Sequence, residues 1–338
     1  MLNTRQIIAL QEIKGCGAAT IRQFVTESQR LKQESLSDSD FMSFINGCIS
    51  SGLKRCRLKL LSKLDFNAAV SRADMLIEKS ERQGIEIVSY VDPSFPCQLL
   101  DTINEDGKSD VPLVLYYKGD LSITKMKGIA IVGTREPTKE GVTAGELLGK
   151  ALAGAGYNIV SGLAIGCDTA GHRGALNAPD GKTTAFLGHG LDSMYPPENE
   201  MLANEIVEKG GLLMSEYAVG EIVNRYSLVA RDRLQAALSA ATIVIQTGVL
   251  GGTNHAANTT LASGKPLFCV KYRNEALMQS EKVEGNMSLV SKGAEFITSA
   301  NFMELIAARI GEPISAPSKP KCFPEVSSEL LLFGADDF

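Results

Sequence analysis

A glycine turn that contains an arginine, Gly133-Thr134-Arg135, directly follows the short apolar run of residues 129–132. The β-branched residues in that run are typical of a buried parallel strand, and a helical pattern over 140–154 comes next. Open α/β sheets bind ligands at the carboxyl ends of their strands. An arginine placed there offers a planar fork of N–H donors, which suits the oxygens of a phosphodiester. The alternative is an arginine that only caps the loop.

The turn does not have the pattern of a dinucleotide-binding fingerprint. That motif needs G-x-G-x-x-G after the strand, whereas residues 133–138 read GTREPT. Arg135 stands where the second glycine would let the backbone approach a pyrophosphate. The sequence therefore argues against a bound nicotinamide or flavin dinucleotide, and we expect no cofactor.

The positions of the glycine turns follow from the elements on either side of them. Strand-like runs alternate with helical patterns, which indicates a doubly wound, mostly parallel α/β sheet. The six predicted parallel strands are residues 129–132, 157–160, 183–187, 211–214, 241–246 and 266–270. Two further strands, 85–90 and 111–118, lead into this unit, and a long loop over 217–229 precedes a helix that opens at Arg231-Asp232-Arg233.

Three regions differ in composition. Residues 1–80 are helical in pattern and predict a small N-terminal domain, residues 84–311 hold the sheet, and residues 312–338 are a proline-rich linker with an acidic tail. The tail ends Phe333-Gly-Ala-Asp-Asp-Phe338, which resembles the acidic, phenylalanine-ended tails that recruit repair partners. The alternative is an acidic end without a docking role.

Composition narrows the classes of protein. The 338 residues carry a formal net charge of −5, so a nucleic acid would have to be met by a local basic patch. There is no 18-residue apolar run and no signal-peptide layout, and we expect a cytoplasmic protein without a membrane partner. Seven cysteines without a C-x-x-C pair argue against zinc and disulfide frameworks. Three histidines argue against a metal site.

Two N-terminal features are compatible with nucleic-acid binding. Residues 13–21, IKGCGAATI, have the pattern of a helix–hairpin–helix turn, in which glycine amides contact a phosphate. Many helical pairs turn on G-x-G without touching DNA. The basic run of residues 54–59, KRCRLK, is interpreted as a solvated helix face.

Taken together, the motifs resemble the DNA-processing protein A (DprA/Smf) family over about residues 84–300. In chain order they are DPSFP (92–96), LVLYYKGDL (113–121), the G-x-R turn (133–135), SGLAIGCD (161–168), AGHRGAL (170–176), LGHGLDSMYPPEN (187–199), SEY (215–217) and RDR (231–233).

This resemblance implies a Rossmann-like core that binds single-stranded DNA entering the cell, loads RecA onto it and forms a homodimer, with no catalytic chemistry. The contacts it implies are Arg135 and a basic loop after SEY, with close backbone approach at four further positions. The loop residues are Arg225, Arg231 and Arg233. The positions of close backbone approach are Gly133, Ser161, Gly162 and Gly188, and Thr134 belongs to the same contact as part of the G-x-R turn. Arg231 and Arg233 have an alternative role, pairing with Asp232 or a core carboxylate.

Other functions remain open at this point. No nucleophile–base pair at diagnostic spacing is visible, and Glu216 is interpreted as structural. The main alternative is a small-nucleotide-binding sensor, for instance in phage defence, with residues 248–253 (GVLGGT) as its phosphate cradle. A protein-interaction scaffold is the second alternative.

Overall fold

A nine-stranded sheet forms the centre of the computed structural model, which describes residues 2–31, 36–53, 56 and 58–313. The strands are β1 (Glu86–Ser89), β2 (Val114–Gly119), β3 (Gly128–Val132), β4 (Asn158–Ser161), β5 (Lys182–Leu187), β6 (Leu212–Ser215), β7 (Ser239–Val244), β8 (Leu267–Val270) and β9 (Glu295–Ile297). Their spatial order is β1-β2-β6-β5-β4-β3-β7-β8-β9. In this spatial order, the seven strands that begin with β6 and end with β9 are parallel to one another. Strands β1 and β2 are antiparallel to their neighbours.

The helices cover the N-terminal region and both faces of the sheet. They are α1 (Thr4–Gln11), α2 (Ala18–Arg30), α3 (Asp38–Ser50), α4 (Lys63–Glu81), α5 (Lys139–Ala155), α6 (Cys167–Leu176), α7 (Glu200–Glu208), α8 (Arg225–Ala230), α9 (Asp232–Leu238), α10 (Asn254–Ala262), α11 (Glu275–Met278), α12 (Glu284–Ser291) and α13 (Phe302–Ile310). No described helix is both long enough and apolar enough to span a bilayer.

The strand order reverses between β3 and β7. The chain proceeds outward from β3 through β4, β5 and β6, and then returns to the other side of β3 to form β7. In open α/β sheets such a switch point leaves a crevice at the carboxyl ends of the strands, because the two flanking connections diverge. The turn after β3, which contains Arg135, lies at this crevice.

The N-terminal helices pack on the sheet through a common apolar cluster. Buried side chains of α1, α2 and α3, such as Ile7, Phe24 and Phe41, belong to the same cluster as Tyr116 of β2 and Leu213 of β6. Side chains at the starts of α1, α3 and α4 accept N–H groups from the first turn, which stabilises each helix end. The helical region therefore packs against the end of the sheet that β1 and β2 form.

Helices α5 and α6 pack at very short range because small residues meet between them. A Cβ on Gly149 would lie 2.4 Å from the carbonyl oxygen of Gly171, and a Cβ on Gly145 would lie 2.8 Å from the Cβ of Ala170. Both helices begin at the carboxyl edge of the sheet, so this packing fixes two neighbouring turns relative to one another.

The predicted fold class is confirmed, with two corrections. The predicted loop over 217–229 contains a helix from Arg225, because Asn224 and Ser227 form a capping box. The count of six parallel strands is one short, because β9 has only three residues and gives almost no periodic signal. The helices predicted over 1–80 are present, and the division into domains stays a prediction.

Two further predictions concern segments that the structure describes in part or not at all. The G-x-G segment does form the turn between α1 and α2, with Gly15 at φ 86°, while its contact with DNA stays a prediction. Residues 54, 55 and 57 of the basic run, and the tail from 314 to 338, lie outside the described residues.

Candidate functional site

The turn after β3 is anchored by Gln246, which lies two residues beyond the end of the neighbouring strand β7. The N–H of Thr134 donates to the carbonyl of Gln246 at 2.7 Å. The Gln246 side chain accepts from the N–H of Thr138 and donates to its hydroxyl, both at 2.9 Å. Gln246 therefore fixes the start of α5 and the shape of the turn. Arg135 projects from this turn and is exposed, and no described carboxylate lies within ion-pair distance of it.

The turn after β4 is held by its own side chains. Ser161 is buried and donates its hydroxyl proton to the carbonyl of Ile131 at 2.6 Å. Oδ2 of Asp168 accepts the N–H groups of Gly162 at 3.1 Å and Ala164 at 3.3 Å. Burial raises the pKa of Asp168, and the nearby Arg231 opposes that shift. These contacts form a rigid turn beside the one that carries Arg135.

Gly188, after β5, lets helix α8 approach the same edge of the sheet. A Cβ at this position would lie 2.9 Å from the carbonyl oxygen of Ser227 and 3.0 Å from the nitrogen of Leu228. Helix α8 thereby presents Arg225 and Tyr226, both exposed, at the carboxyl edge. The Arg225 guanidinium lies 4.6 Å from the Tyr226 ring centroid and donates to its hydroxyl at 2.6 Å.

The structure places the predicted residues at one edge, but in two layers. Arg135 and Arg225 are exposed, whereas Arg231 and Arg233 are buried. Strands β3 and β5 are separated only by β4, so their ends are about 10 Å apart. The site therefore has an exposed layer, Arg135, Arg225 and Tyr226, and an inner layer of buried ion pairs made by Arg231 and Arg233.

In the inner layer, Arg233 contacts two carboxylates and a backbone carbonyl. Its Nη1 and Nη2 donate to the two carboxylate oxygens of Glu216 at 2.6 and 2.8 Å, and its Nε lies 2.6 Å from Oδ2 of Asp110. Nη1 also donates to the carbonyl of Ala230 at 2.7 Å. Burial lowers the pKa of Arg233, but Glu216 more than compensates and the net direction is upward. This geometry favours the alternative role for Arg233, the carboxylate pair.

Arg231 also lies among carboxylates. Its Nη2 is 3.7 Å from Oδ2 of Asp168 and its Nε is 3.3 Å from Oδ1 of Asp232. Burial raises the pKa of Asp232 to about 6, against the lowering effect of Arg231. Sequence reasoning left this pairing open, and only the three-dimensional arrangement identifies Asp168 as the second partner.

The histidines and the second glycine loop bear on the alternative functions. Burial, and the charge of Arg231, lower the pKa of His172 to about 3, so this ring is neutral near pH 7. In the loop 248–253 and the start of α10, the N–H groups of Gly251, Asn254 and His255 donate to carbonyls of the same segment. Those three donors are not available to a phosphate. Among the described residues, no cluster of side chains has the arrangement of a metal site.

The fold and this edge define a class: a Rossmann-like α/β protein with an arginine-bearing turn at its switch point. The family model for DNA recombination-mediator protein A matches residues 86–306. The chain belongs to that family.

Individual relatives agree with the family match. The protein Smf of Synechocystis sp. is 34% identical over 238 residues, which are 67% of this chain and 54% of that protein. DNA processing protein DprA of Streptococcus pneumoniae is 32% identical over 219 residues, which are 65% of this chain and 73% of that protein. This chain thus matches about half of the Synechocystis protein's length.

Two solved structures share the fold. The X-ray structure of DprA from Streptococcus pneumoniae superimposes with a TM-score of 0.67 at 28% identity, and covers 88% of this chain and 95% of that one. DNA processing protein A of Helicobacter pylori, a protein described by its single-stranded DNA binding mode, gives a TM-score of 0.56 at 29% identity. That match covers 66% of this chain and 96% of the Helicobacter chain.

Proposed function

We propose that this protein is a single-stranded DNA-binding recombination mediator, which protects incoming DNA and loads RecA onto it. Membership of the DNA recombination-mediator protein A family supports this proposal, as does the likeness to a Helicobacter protein that binds single-stranded DNA. The observation that carries it is Arg135, an exposed arginine without an ion-pair partner among the described residues, at the switch point of the sheet.

Arg135 has the properties that a phosphate contact needs. Its turn is fixed by Gln246 through three hydrogen bonds, so little conformational freedom is lost when a strand binds. Its guanidinium presents a planar set of donors, and hydrogen bonds from such a group to phosphate are about twice as strong as neutral ones. Because the net charge of the chain is −5, its overall electrostatic field does not attract DNA, and binding depends on the local position of exposed arginines such as Arg135.

Arg225 and Tyr226 extend the surface along the same edge. The Tyr226 ring is exposed, and a base can stack on the face of such a ring. The cation over the ring holds Tyr226 in one orientation and leaves the other face open to a base. Stacking needs bases that are splayed out of a duplex, so we expect single strands to bind more tightly than duplex DNA.

The partners follow from this role. A mediator must hand its strand to a recombinase, so we include RecA as a partner, and we include a homodimer as the acting form. This protein and RecA would meet the DNA strand in the cytoplasm. The buried, neutral His172 supports a binding function over acid–base catalysis.

The test is fluorescence anisotropy with labelled oligo-dT, a duplex of equal length and a panel of free nucleotides. Tight binding of oligo-dT, weaker binding of duplex and no competition by free nucleotides are expected. Competition by one nucleotide at micromolar concentration would instead establish the sensor function. A RecA strand-exchange assay on DNA already covered by single-strand-binding protein then tests loading, and sedimentation of the protein alone tests the homodimer.

A further inference from the structure

The guanidinium of Arg231 lies in the space that any side chain at position 162 would need. An ideal Cβ on Gly162 would be 1.2 Å from Nη1 and 1.8 Å from Cζ of Arg231. Arg231 is 5% exposed, and its Nε and Nη1 have no hydrogen-bond partner among the described residues. Gly162 and Arg231 therefore form a fitted pair beneath the turn after β4.

Asp168 connects this buried arginine to the backbone of the turn. Its Oδ2 is shared by the N–H groups of Gly162 and Ala164 and by the Arg231 guanidinium. Leu163, between the two amides, has φ 58°, in the left-handed region that is unfavourable for an L-residue. A conformation of this kind persists only where its surroundings enforce it. Asp168 supplies that enforcement on the amide side.

The turn after β4 is in direct backbone contact with the turn that carries Arg135. The N–H of Cys167 donates to the carbonyl of Thr134 at 3.2 Å. A Cβ on Gly166 would lie 2.5 Å from the Thr134 carbonyl oxygen and 2.7 Å from that of Arg135. A shift in the first turn is therefore passed to the second, since no gap between them could absorb it.

We propose that Arg231 is a positioning residue, which acts through Asp168 and the Gly162–Cys167 backbone to place Arg135, and does not itself touch DNA. This inference rests on the proposed binding of single-stranded DNA at Arg135. Arg231 is enclosed by Asp168 and Asp232, so the three groups have a formal charge of −1 when both acids are ionised. A phosphate brought to Arg231 would meet net repulsion, whereas the exposed Arg135 has no such neighbours within ion-pair distance.

A double-mutant cycle on oligo-dT affinity separates positioning from direct contact. Arg231→Met is expected to weaken binding about tenfold in the wild-type chain and less than twofold in an Arg135→Ala chain, because both changes remove one interaction. Equal losses in the two backgrounds would show that Arg231 contacts DNA by itself and would overturn the proposal.

The substitution Asp168→Ala is expected to change oligo-dT affinity in opposite directions under the two models, positioning by Arg231 and direct contact by Arg231. If Asp168 holds the turn, its removal weakens oligo-dT binding by a similar factor. If Arg231 were a direct phosphate contact, removal of the adjacent negative charge would strengthen binding. Arg231→Lys keeps the charge without the planar fork and is expected to behave as Arg231→Met; wild-type affinity in Arg231→Lys would refute positioning by the guanidinium.

Hydrogen exchange provides a readout that needs no DNA. In Arg231→Lys and Asp168→Ala, peptides over 162–168 and 133–136 should exchange faster, while peptides over 295–310 keep their protection. Faster exchange confined to 162–168 would show that the two turns are not coupled, and would overturn the proposal. Failure of the wild-type chain to bind oligo-dT would refute the proposed function alone, because the exchange result stands by itself. If Arg231→Met does not fold, Arg231→Lys replaces it in the cycle.

Discussion

Arg233 and Glu216 form a two-pronged ion pair, with Nη1–Oε2 and Nη2–Oε1 distances of 2.6 and 2.8 Å. The pair joins the residue that follows β6 to the first turn of α9. Both side chains are largely buried, at 10% and 19% exposure. Removal of one partner would leave a buried charge with an incomplete set of contacts.

Glu216→Ala is therefore expected to lower the free energy of unfolding by about 3 kcal/mol, as for other buried pairs that lose one member. Urea denaturation measures this change. Arg82→Met is the matched control, because it breaks an exposed i,i+4 pair with Glu78 and should change stability by about 0.5 kcal/mol or less. Equal effects of the two substitutions would mean that Arg233 is not held as the structure shows.

Arg135→Ala should weaken oligo-dT binding by about 1–3 kcal/mol, the value of a charge-assisted hydrogen bond. The melting temperature should stay unchanged, because the side chain is exposed and unpaired among the described residues. Arg309→Ala is the control: Arg309 pairs with Glu295 at the start of β9, at the opposite edge of the sheet. A melting temperature that falls in Arg135→Ala would make Arg135 a structural cap.

The salt dependence of binding should report the number of phosphates that are contacted. Each contact contributes about 0.7 to the slope of log K against log salt for a single strand. Arg135→Ala is therefore expected to reduce the magnitude of the slope by about 0.7, and Arg225→Ala by a similar amount. An unchanged slope in both variants would place the phosphate contacts elsewhere.

Tyr226→Ala should weaken binding of oligo-dT by about 1–3 kcal/mol, the range measured for one base on an aromatic side chain. Tyr226→Phe should keep most of the affinity, because the ring remains and only the hydrogen bond to Arg225 is lost. Titrations of both variants with labelled oligo-dT provide the comparison. A loss in Tyr226→Phe as large as in Tyr226→Ala would assign the effect to the hydroxyl.

Asp232 should make stability depend on pH in a defined direction. Burial raises the pKa of Asp232 from 3.8 to about 6, so the folded state binds the proton more tightly than the unfolded state. The penalty for ionisation is complete above pH 6 and disappears as the pH falls towards 4. Asp232→Asn should stabilise the fold at pH 7 by roughly 1–3 kcal/mol and have little effect at pH 4.

Urea denaturation of both chains at the two pH values tests this difference. The comparison between variants cancels the contributions of titrating groups that do not interact with Asp232; Asp168 does interact with it, so its contribution changes with the substitution. A stabilisation of equal size at pH 7 and pH 4 would show that Asp232 is not the group that titrates.

The sequence was sufficient to predict the sheet and its glycine turns, because buried parallel strands are short apolar runs and their turns need glycine. It could not separate Arg135 from Arg231 and Arg233, since all three are arginines at the starts of helices or in turns. Arg231 and Arg233 are buried against carboxylates that are far away in the sequence. The partner of Arg231 is Asp168, and the partners of Arg233 are Asp110 and Glu216. Helix α8 was missed because its six residues are held by a capping box, without an apolar period.

The shared apolar cluster of the N-terminal helices and the sheet sets a limit on how the protein can be shortened. A chain that started at β1 would lose the helices that pack on β1 and β2 and would expose apolar side chains of that face, such as Tyr116, to water. Exposed apolar surface of this kind promotes self-association. Expression of the sheet region alone would therefore require polar replacements on that face, and binding measured on such a fragment would report a different molecular surface.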